Sequence, residues 1–305
     1  MNVLVSGASG FVGANLVSYL KERDYYINTI DFRNNKWKAE IPPSYDAILH
    51  LAGKAHAIEK VANSREYFYV NTELTRQVFD MFIKGPGRDF VYFSSVKAIA
   101  DNVSGELVED VLPNPKTVYG QSKLKAEEII LSQKLPEGKR VFIFRPCMIH
   151  GPGNKGNLNL LFRFVRSKWP YPLAAFENRR SFLSVKNLLF IVNKILSESD
   201  IPGGVYNLSD DEALSTNEVI KLIGDCIGVH PMLLKVPPII IWTIAKSGDT
   251  LRLKLNSERL KKMTESYIVS NRKIVEALNI KSLPVTSREG LRETIHSFSN
   301  SFIVR

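Results

Sequence analysis

Tyr119-Gly120-Gln121-Ser122-Lys123 sets a phenol and an ammonium at i and i+4, on one face of a helix start. A cation beside a phenol stabilises phenolate, so the pair is expected to lower the tyrosine pKa toward working pH, as proton exchange requires. Ordinary surface neighbours share this spacing. The pair gains weight from Phe90-Val91-Tyr92-Phe93-Ser94-Ser95, an apolar run that ends in hydroxyls. Ser95 can donate a hydrogen bond to a reacting oxygen while Tyr119 exchanges its proton. The bland reading of Ser95 is a strand cap.

A site of this kind needs a scaffold that brings strand ends and helix starts together. Strand-like runs alternate with amphipathic stretches: Asn2 to Ser6, Phe11 to Lys21, Tyr26 to Asp31, Ala47 to Ala52, Val70 to Ile83 and Phe90 to Ser94. A helix from Ser122 to Gln133 and a strand from Arg140 to Arg145 follow. Such alternation predicts βαβ units and an α/β fold with a parallel, doubly wound sheet of Rossmann type. Ligands bind at the carboxyl ends of the strands in such sheets, where Ser95 falls. The pattern breaks at His150-Gly151-Pro152-Gly153. Residues 1–150 are therefore expected to form a dinucleotide-binding domain, and 151–305 a smaller substrate lobe that contributes elements back to the first.

Gly7-Ala8-Ser9-Gly10-Phe11-Val12-Gly13 lies between the first strand and the first helical pattern. Glycines allow a tight turn and close backbone approach, and the helix that starts there aims its N-terminal amides at a pyrophosphate. Asp31, after the second strand, can accept hydrogen bonds from ribose hydroxyls, which favours NAD over NADP. Arg33 can instead attract a 2′-phosphate, and Asp31 can also be read as a plain loop carboxylate.

The chain has 305 residues, 44% of them hydrophobic, enough for one large α/β core and a smaller lobe. Cys147 and Cys226 stand far apart, which supports neither a disulfide framework nor a cysteine zinc site, so no metal is expected and a reducing cytoplasm fits. The N-terminus lacks the pattern of a secretion signal. The longest apolar run, Val236 to Ala245, carries two prolines and is about half of the roughly 20 residues that a membrane helix requires, so no transmembrane span is expected. The formal charge is +10, but the basic residues are scattered and no nucleic-acid module is present. Anionic small ligands explain part of the excess; solvated surface, or alternatively a peripheral membrane patch, explains the rest.

With these features together, the chain resembles the extended short-chain dehydrogenase/reductases, specifically the NAD-dependent epimerase/dehydratase group that acts on nucleotide sugars. The resemblance rests on the glycine triad, Asp31, His50-Leu51-Ala52-Gly53, Asn71, Ser94-Ser95, Tyr119 with Lys123, and Arg145-Pro146 before His150-Gly151-Pro152-Gly153. It continues through Arg180-Ser181-Phe182-Leu183-Ser184-Val185 and Val269-Ser270-Asn271.

The resemblance implies Ser95, Tyr119 and Lys123 as a catalytic triad. It implies a cofactor held by Gly7, Gly10, Phe11, Val12, Gly13, Asp31 or Arg33, Leu51, Ala52, Gly53, Asn71, Tyr119 and Lys123. Arg180 matches the arginine that contacts the sugar diphosphate, and Lys54 and His56 fall in the loop that looks toward the sugar. Each of these three can also be read as a solvent-facing residue. The implied substrate is a nucleotide-diphosphate sugar, UDP-linked, and the reading is compatible with a homodimer.

Two departures narrow the activity. Sugar 4,6-dehydratases carry an Asp-Glu pair after the catalytic hydroxyl, where this chain has Val96-Lys97, so elimination of water is not expected. Met148 stands where many relatives carry a substrate-binding asparagine, which shifts that contact to Asn157. The short stretch between Asp31 and Tyr45 leaves little room for a strand and helix on the adenine side. The expected activity is a UDP-sugar 4-epimerase, with a 4-keto-6-deoxy-sugar reductase as the alternative. A non-catalytic dinucleotide-binding regulator and a reductase of non-sugar ketones are the rivals from other classes.

Overall fold

Val3 and Val5 face one side of the first strand and Leu4 faces the other, and the two sides are buried in different clusters. This alternation, repeated along neighbouring strands, makes a sheet covered on both faces. The structure, a computed structural model, describes residues 1–55, 64–154, 156–251 and 256–303. Strands β1 (Asn2–Ser6), β2 (Tyr26–Ile30), β3 (Ala47–His50) and β4 (Asp89–Phe93) come first. A short β5 (Glu106–Leu107), then β6 (Arg140–Pro146), β7 (Met148–His150), β8 (Phe182–Ser184), β9 (Gly204–Leu208) and β10 (Ile268–Val269) follow.

Six of them pair in parallel in the order β2-β1-β3-β4-β6-β9. The order reverses between β1 and β3, and that switch point opens the crevice in which such sheets hold ligands.

The helices between them are α1 (Phe11–Lys21), α2 (Ser64–Phe68), α3 (Leu74–Lys84) and α4 (Val118–Ser132), then α5 (Asn157–Arg166), α6 (Val185–Ser197) and α7 (Thr216–Ile227). They continue with α8 (Pro238–Leu251), α9 (Ser257–Thr264), α10 (Arg272–Ala277) and α11 (Ser287–Ile303). Helices α1 and α6 bury Leu16, Leu20, Leu188 and Val192 against one face of the sheet. Phe79, Phe82, Ala126 and Ile130 from α3 and α4 cover the other. Between β2 and β3 the chain forms one 3₁₀ turn, Trp37–Glu40, and no full helix.

Beyond residue 150 the chain crosses back: α6 packs on α1, and β9 becomes an edge strand beside β6. The second lobe has its own core, with Leu158, Phe162, Ile220, Ile223, Leu291 and Ile295 from α5, α7 and α11. Both cysteines are free. Among the described residues no helix is long and apolar enough to cross a membrane.

Candidate active site

Helix α1 starts without a side-chain cap: Gly10 is its N-cap, and its first turn holds no acidic residue. By contrast, α7 closes its first turn with a Ser215–Glu218 capping box. The amides at the start of α1 are thereby left for an anion, where the helix dipole also favours negative charge. The turn before it admits only glycine at two places. Gly7 has φ +73°, and a Cβ there would come within 2.7 Å of the Ala52 nitrogen; a Cβ on Gly13 would meet the Gly7 carbonyl oxygen at 2.2 Å. The strand, uncapped helix and glycine cradle fit a dinucleotide.

The start of the loop after β3 is sewn to this turn, with the Leu51 amide donating to the Ser6 carbonyl at 3.2 Å and the Ala52 amide to Ser6 Oγ at 3.2 Å. Phe11 and Val12, in the first turn of α1, pack against the main core. Asp31 follows β2, and its carboxylate accepts two 2.8 Å bonds from the Arg33 guanidinium. Arg33 holds the carboxyl below the usual range. The two residues between which the cofactor preference lay open are thus bonded to each other.

Helix α4 begins at Val118, earlier than the apolar pattern suggests, because the Thr117 hydroxyl accepts the Gly120 amide as an N-cap. Tyr119 therefore sits in the first turn and Lys123 in the second. Ser95, just past β4, is itself an N-cap, accepting the Lys97 amide at 3.2 Å. Burial raises the Tyr119 phenol pKa, and the neighbouring Ser95 hydroxyl draws it part of the way back down. The predicted depression by Lys123 is not found. Lys123 instead donates from Nζ to the Phe93 carbonyl at 2.8 Å, with the Tyr92 ring 4.8 Å away. Burial lowers its pKa to about 8, opposed by Glu127.

A buried polar network backs the triad. Glu127, one turn beyond Lys123, takes a bidentate bond from Arg145, Nη2 to Oε2 at 2.6 Å and Nε to Oε1 at 3.2 Å, and a short bond from the Ser94 hydroxyl. It locks α4 to β4 and β6. The i, i+4, i+8 spacing of Tyr119, Lys123 and Glu127 was the sequence signal for it. Ser122 is a second missed residue, accepting from Asn71 Nδ2 at 2.9 Å. Asn71 lies in a π-helical turn, Tyr69–Glu73, and also bonds the Lys54 backbone, so its amide groups are engaged with protein. Gly53 fits between Lys123 and Asn71: a Cβ would stand 3.0 Å from Lys123 Nζ and 3.2 Å from Asn71 Oδ1.

Of the residues expected to meet a substrate, Lys54 pairs with Glu66 at 2.6 Å. Arg180 donates to the carbonyls of Lys262 and Glu265 around the end of α9. It lies close enough to Lys97 to depress that lysine's pKa further after burial, its main cause. Lys97 Nζ donates to the Asp101 carbonyl and lies 3.9 Å over the Tyr267 ring. Asn157 opens α5 and is exposed. No bond in the structure links it to the Ser95–Tyr119 pair. His56 lies outside the described residues.

The fold and site define a dinucleotide-binding α/β protein with a serine, a tyrosine and a lysine gathered at the ends of its central strands. The chain belongs to the NAD dependent epimerase/dehydratase family, whose model matches residues 3–209, and it is an NAD(P)-dependent enzyme. It is 27% identical over 322 residues to a UDP-glucose 4-epimerase of Vibrio cholerae, covering 97% of this chain and 95% of that protein. It is also 27% identical over 257 residues to a GDP-6-deoxy-D-mannose reductase of Pseudomonas aeruginosa, covering 77% and 83% respectively. A solved Pseudomonas aeruginosa structure, RMD complexed with NADPH, shares the fold with a TM-score of 0.74 at 22% identity, covering 98% of this chain and 99% of that one.

Proposed function

We propose that the protein is an NAD-dependent nucleotide-sugar oxidoreductase acting at C4, most simply a UDP-sugar 4-epimerase. The observation that carries this reading is the convergence of Ser95, just past β4, with Tyr119 in the first turn of α4, near enough for the serine to draw the phenol pKa down, at the end of the sheet at which ligands bind. When bound, the dinucleotide supplies hydride chemistry. The chain's own part is to orient O4 through the Ser95 hydroxyl and to move its proton through the Tyr119 phenol. Lys123 fixes the floor beneath them through the Phe93 carbonyl. Arg180, with Lys97 beside it, gives the second lobe positive charge suited to a diphosphate, which favours a nucleotide sugar over an apolar ketone. Val96-Lys97 supplies no carboxyl pair for elimination. The V. cholerae relative supports epimerisation.

A second reading, reduction of a 4-keto-6-deoxy sugar, is favoured by Arg33, whose guanidinium stands where a 2′-phosphate can displace Asp31, and by the reductase relative. Hydride fate separates the two. An epimerase converts UDP-hexoses or UDP-N-acetylhexosamines with no net absorbance change, because C4 is oxidised and re-reduced on one cofactor. A reductase oxidises NAD(P)H once per keto-sugar. Product NMR without added cofactor, then with a 4-keto-6-deoxy sugar and NADH or NADPH, gives the answer. Stoichiometric NAD(P)H oxidation without epimer formation would reverse the order, and NAD binding with no turnover on either panel would point to a regulator.

A further inference from the structure

The apolar arc of α8 is wider than the part it buries. Ile241, Ala245 and Gly248 recur at i, i+4 and i+7 and face the core of the second lobe. Ile240, Ile244 and Leu251, at i, i+4 and i+11, form a second stripe beside them and remain exposed, as does Ile239 at 72%. Monomeric proteins expose single apolar residues freely, but an aligned stripe of this kind marks a contact.

The stripe does not stand alone. The segment before α8 pairs with the segment after α5: the Tyr171 amide donates to the Met232 carbonyl at 2.8 Å and the Leu234 amide to the Tyr171 carbonyl at 2.9 Å. That pairing places Trp169, 70% exposed, and Met232, 58% exposed, at the approach to the helix. Lys168 adjoins the tryptophan, Lys235 precedes the helix and Lys246 lies on it one heptad after Ile239, all exposed; the one acidic residue of α8, Asp249, accepts the Ser257 amide at 2.9 Å. The chain as a whole carries a formal +10.

We propose that this face docks the protein on an anionic lipid surface. Isoleucines and a tryptophan beside lysines, on a helix too short to span, match an element that lies in the bilayer interface: apolar side chains enter the acyl boundary and ammonium groups meet acidic headgroups. The charge pattern selects lipid over a second copy of this chain, because a copy would bring the same lysines against these. Helix α8 packs on α9, whose last turn holds Arg180. Docking therefore sets the arginine side of the substrate lobe near the membrane.

The test is co-sedimentation of the full chain with vesicles of phosphatidylcholine alone and of phosphatidylcholine with phosphatidylglycerol. Binding is expected to the acidic vesicles and to weaken with added salt. The I240S/I244S pair replaces exposed side chains only and should leave the thermal transition and NAD binding unchanged while lowering the partition coefficient roughly tenfold or more. The K235E/K246E pair should lower it by a comparable factor, with the loss confined to acidic vesicles. Absence of native binding, or equal binding by native protein and both variants, overturns the proposal. So does concentration-dependent self-association that I240S/I244S abolishes while vesicles leave the native protein in the supernatant.

Discussion

Asn71 grips the backbone of Lys54 from both sides: Oδ1 accepts the Lys54 amide at 2.7 Å, and Nδ2 donates to the Lys54 carbonyl at 3.0 Å. The same Nδ2 reaches Ser122 on α4, so one side chain joins the loop after β3 to the helix that carries Tyr119 and Lys123. This makes Asn71 a positioning residue. Replacing it with alanine leaves part-buried backbone groups of Lys54 and the buried Ser122 hydroxyl without this partner, which costs up to about 1–3 kcal/mol. Asn71→Ala should lower the urea midpoint accordingly and weaken NAD binding in a chain that still folds. Unchanged stability together with unchanged NAD affinity would remove this role.

His50 makes the fold sensitive to acid. Its ring is fully buried, with Nδ1 2.7 Å from Ser6 Oγ and Nε2 2.9 Å from Thr75 Oγ1. Burial, followed by the nearby Lys123, pushes its pKa down from 6.5 to about 3. Across that interval the unfolded chain binds a proton that the folded chain refuses. Stability is therefore lost as pH falls below 6.5, by at most about 1.4 kcal/mol per pH unit from this group. In His50→Gln the decline between pH 6.5 and 5 should be shallower by a matching amount, measured by urea unfolding at several pH values. Parallel profiles for native and variant would contradict the assignment.

Local signals account for what the chain discloses and tertiary bonds for what it hides. The helix expected from Phe11 to Lys21 forms over those residues, because the glycine turn sets its start and the apolar pattern its buried face. The glycine cradle was legible for the same reason: its demands are steric and lie within one turn. Helix α4 starts before the apolar periodicity does, because Thr117 acts through a side-chain cap. The bond from Lys123 to the Phe93 carbonyl spans 30 positions, and that from Arg145 to Glu127 spans 18. Spacing along the chain cannot reveal either. Hence the i, i+4 pair carries no sign of the burial that raises the Tyr119 pKa, opposite to the depression expected from Lys123.

Cofactor choice turns on the Asp31–Arg33 pair. The carboxylate offers acceptors to ribose hydroxyls and repels a 2′-phosphate, while the guanidinium it holds can attract one. Asp31→Ala removes the acceptor and frees Arg33, so NAD binding should weaken while NADP binding holds or improves. Calorimetric titration of both cofactors measures this. Equal losses would show that Asp31 does not read the ribose.

The last prediction separates chemistry from stability at Tyr119 and Lys123. Tyr119→Phe removes one hydroxyl, which neighbours Ser95, so the fold should persist while turnover falls about 10²- to 10⁴-fold, the range of general acid-base catalysis. Lys123→Met should also suppress turnover, but its effect on stability must depend on pH. Burial holds the Lys123 pKa near 8, against 10.5 for a free lysine. Between those values the unfolded chain binds more protons than the folded one, so this lysine's penalty is full below pH 8 and fades as pH rises toward 10.5. The stability of the native protein relative to Lys123→Met should accordingly climb over that interval, whereas the difference between native protein and Tyr119→Phe should stay flat until the phenol begins to ionise. Urea unfolding of all three proteins at pH 7 and at higher pH resolves the two trends. A native-minus-Lys123→Met difference that stays constant or falls with pH would mean that the lysine is not held in the buried, depressed state that its bond to the Phe93 carbonyl implies.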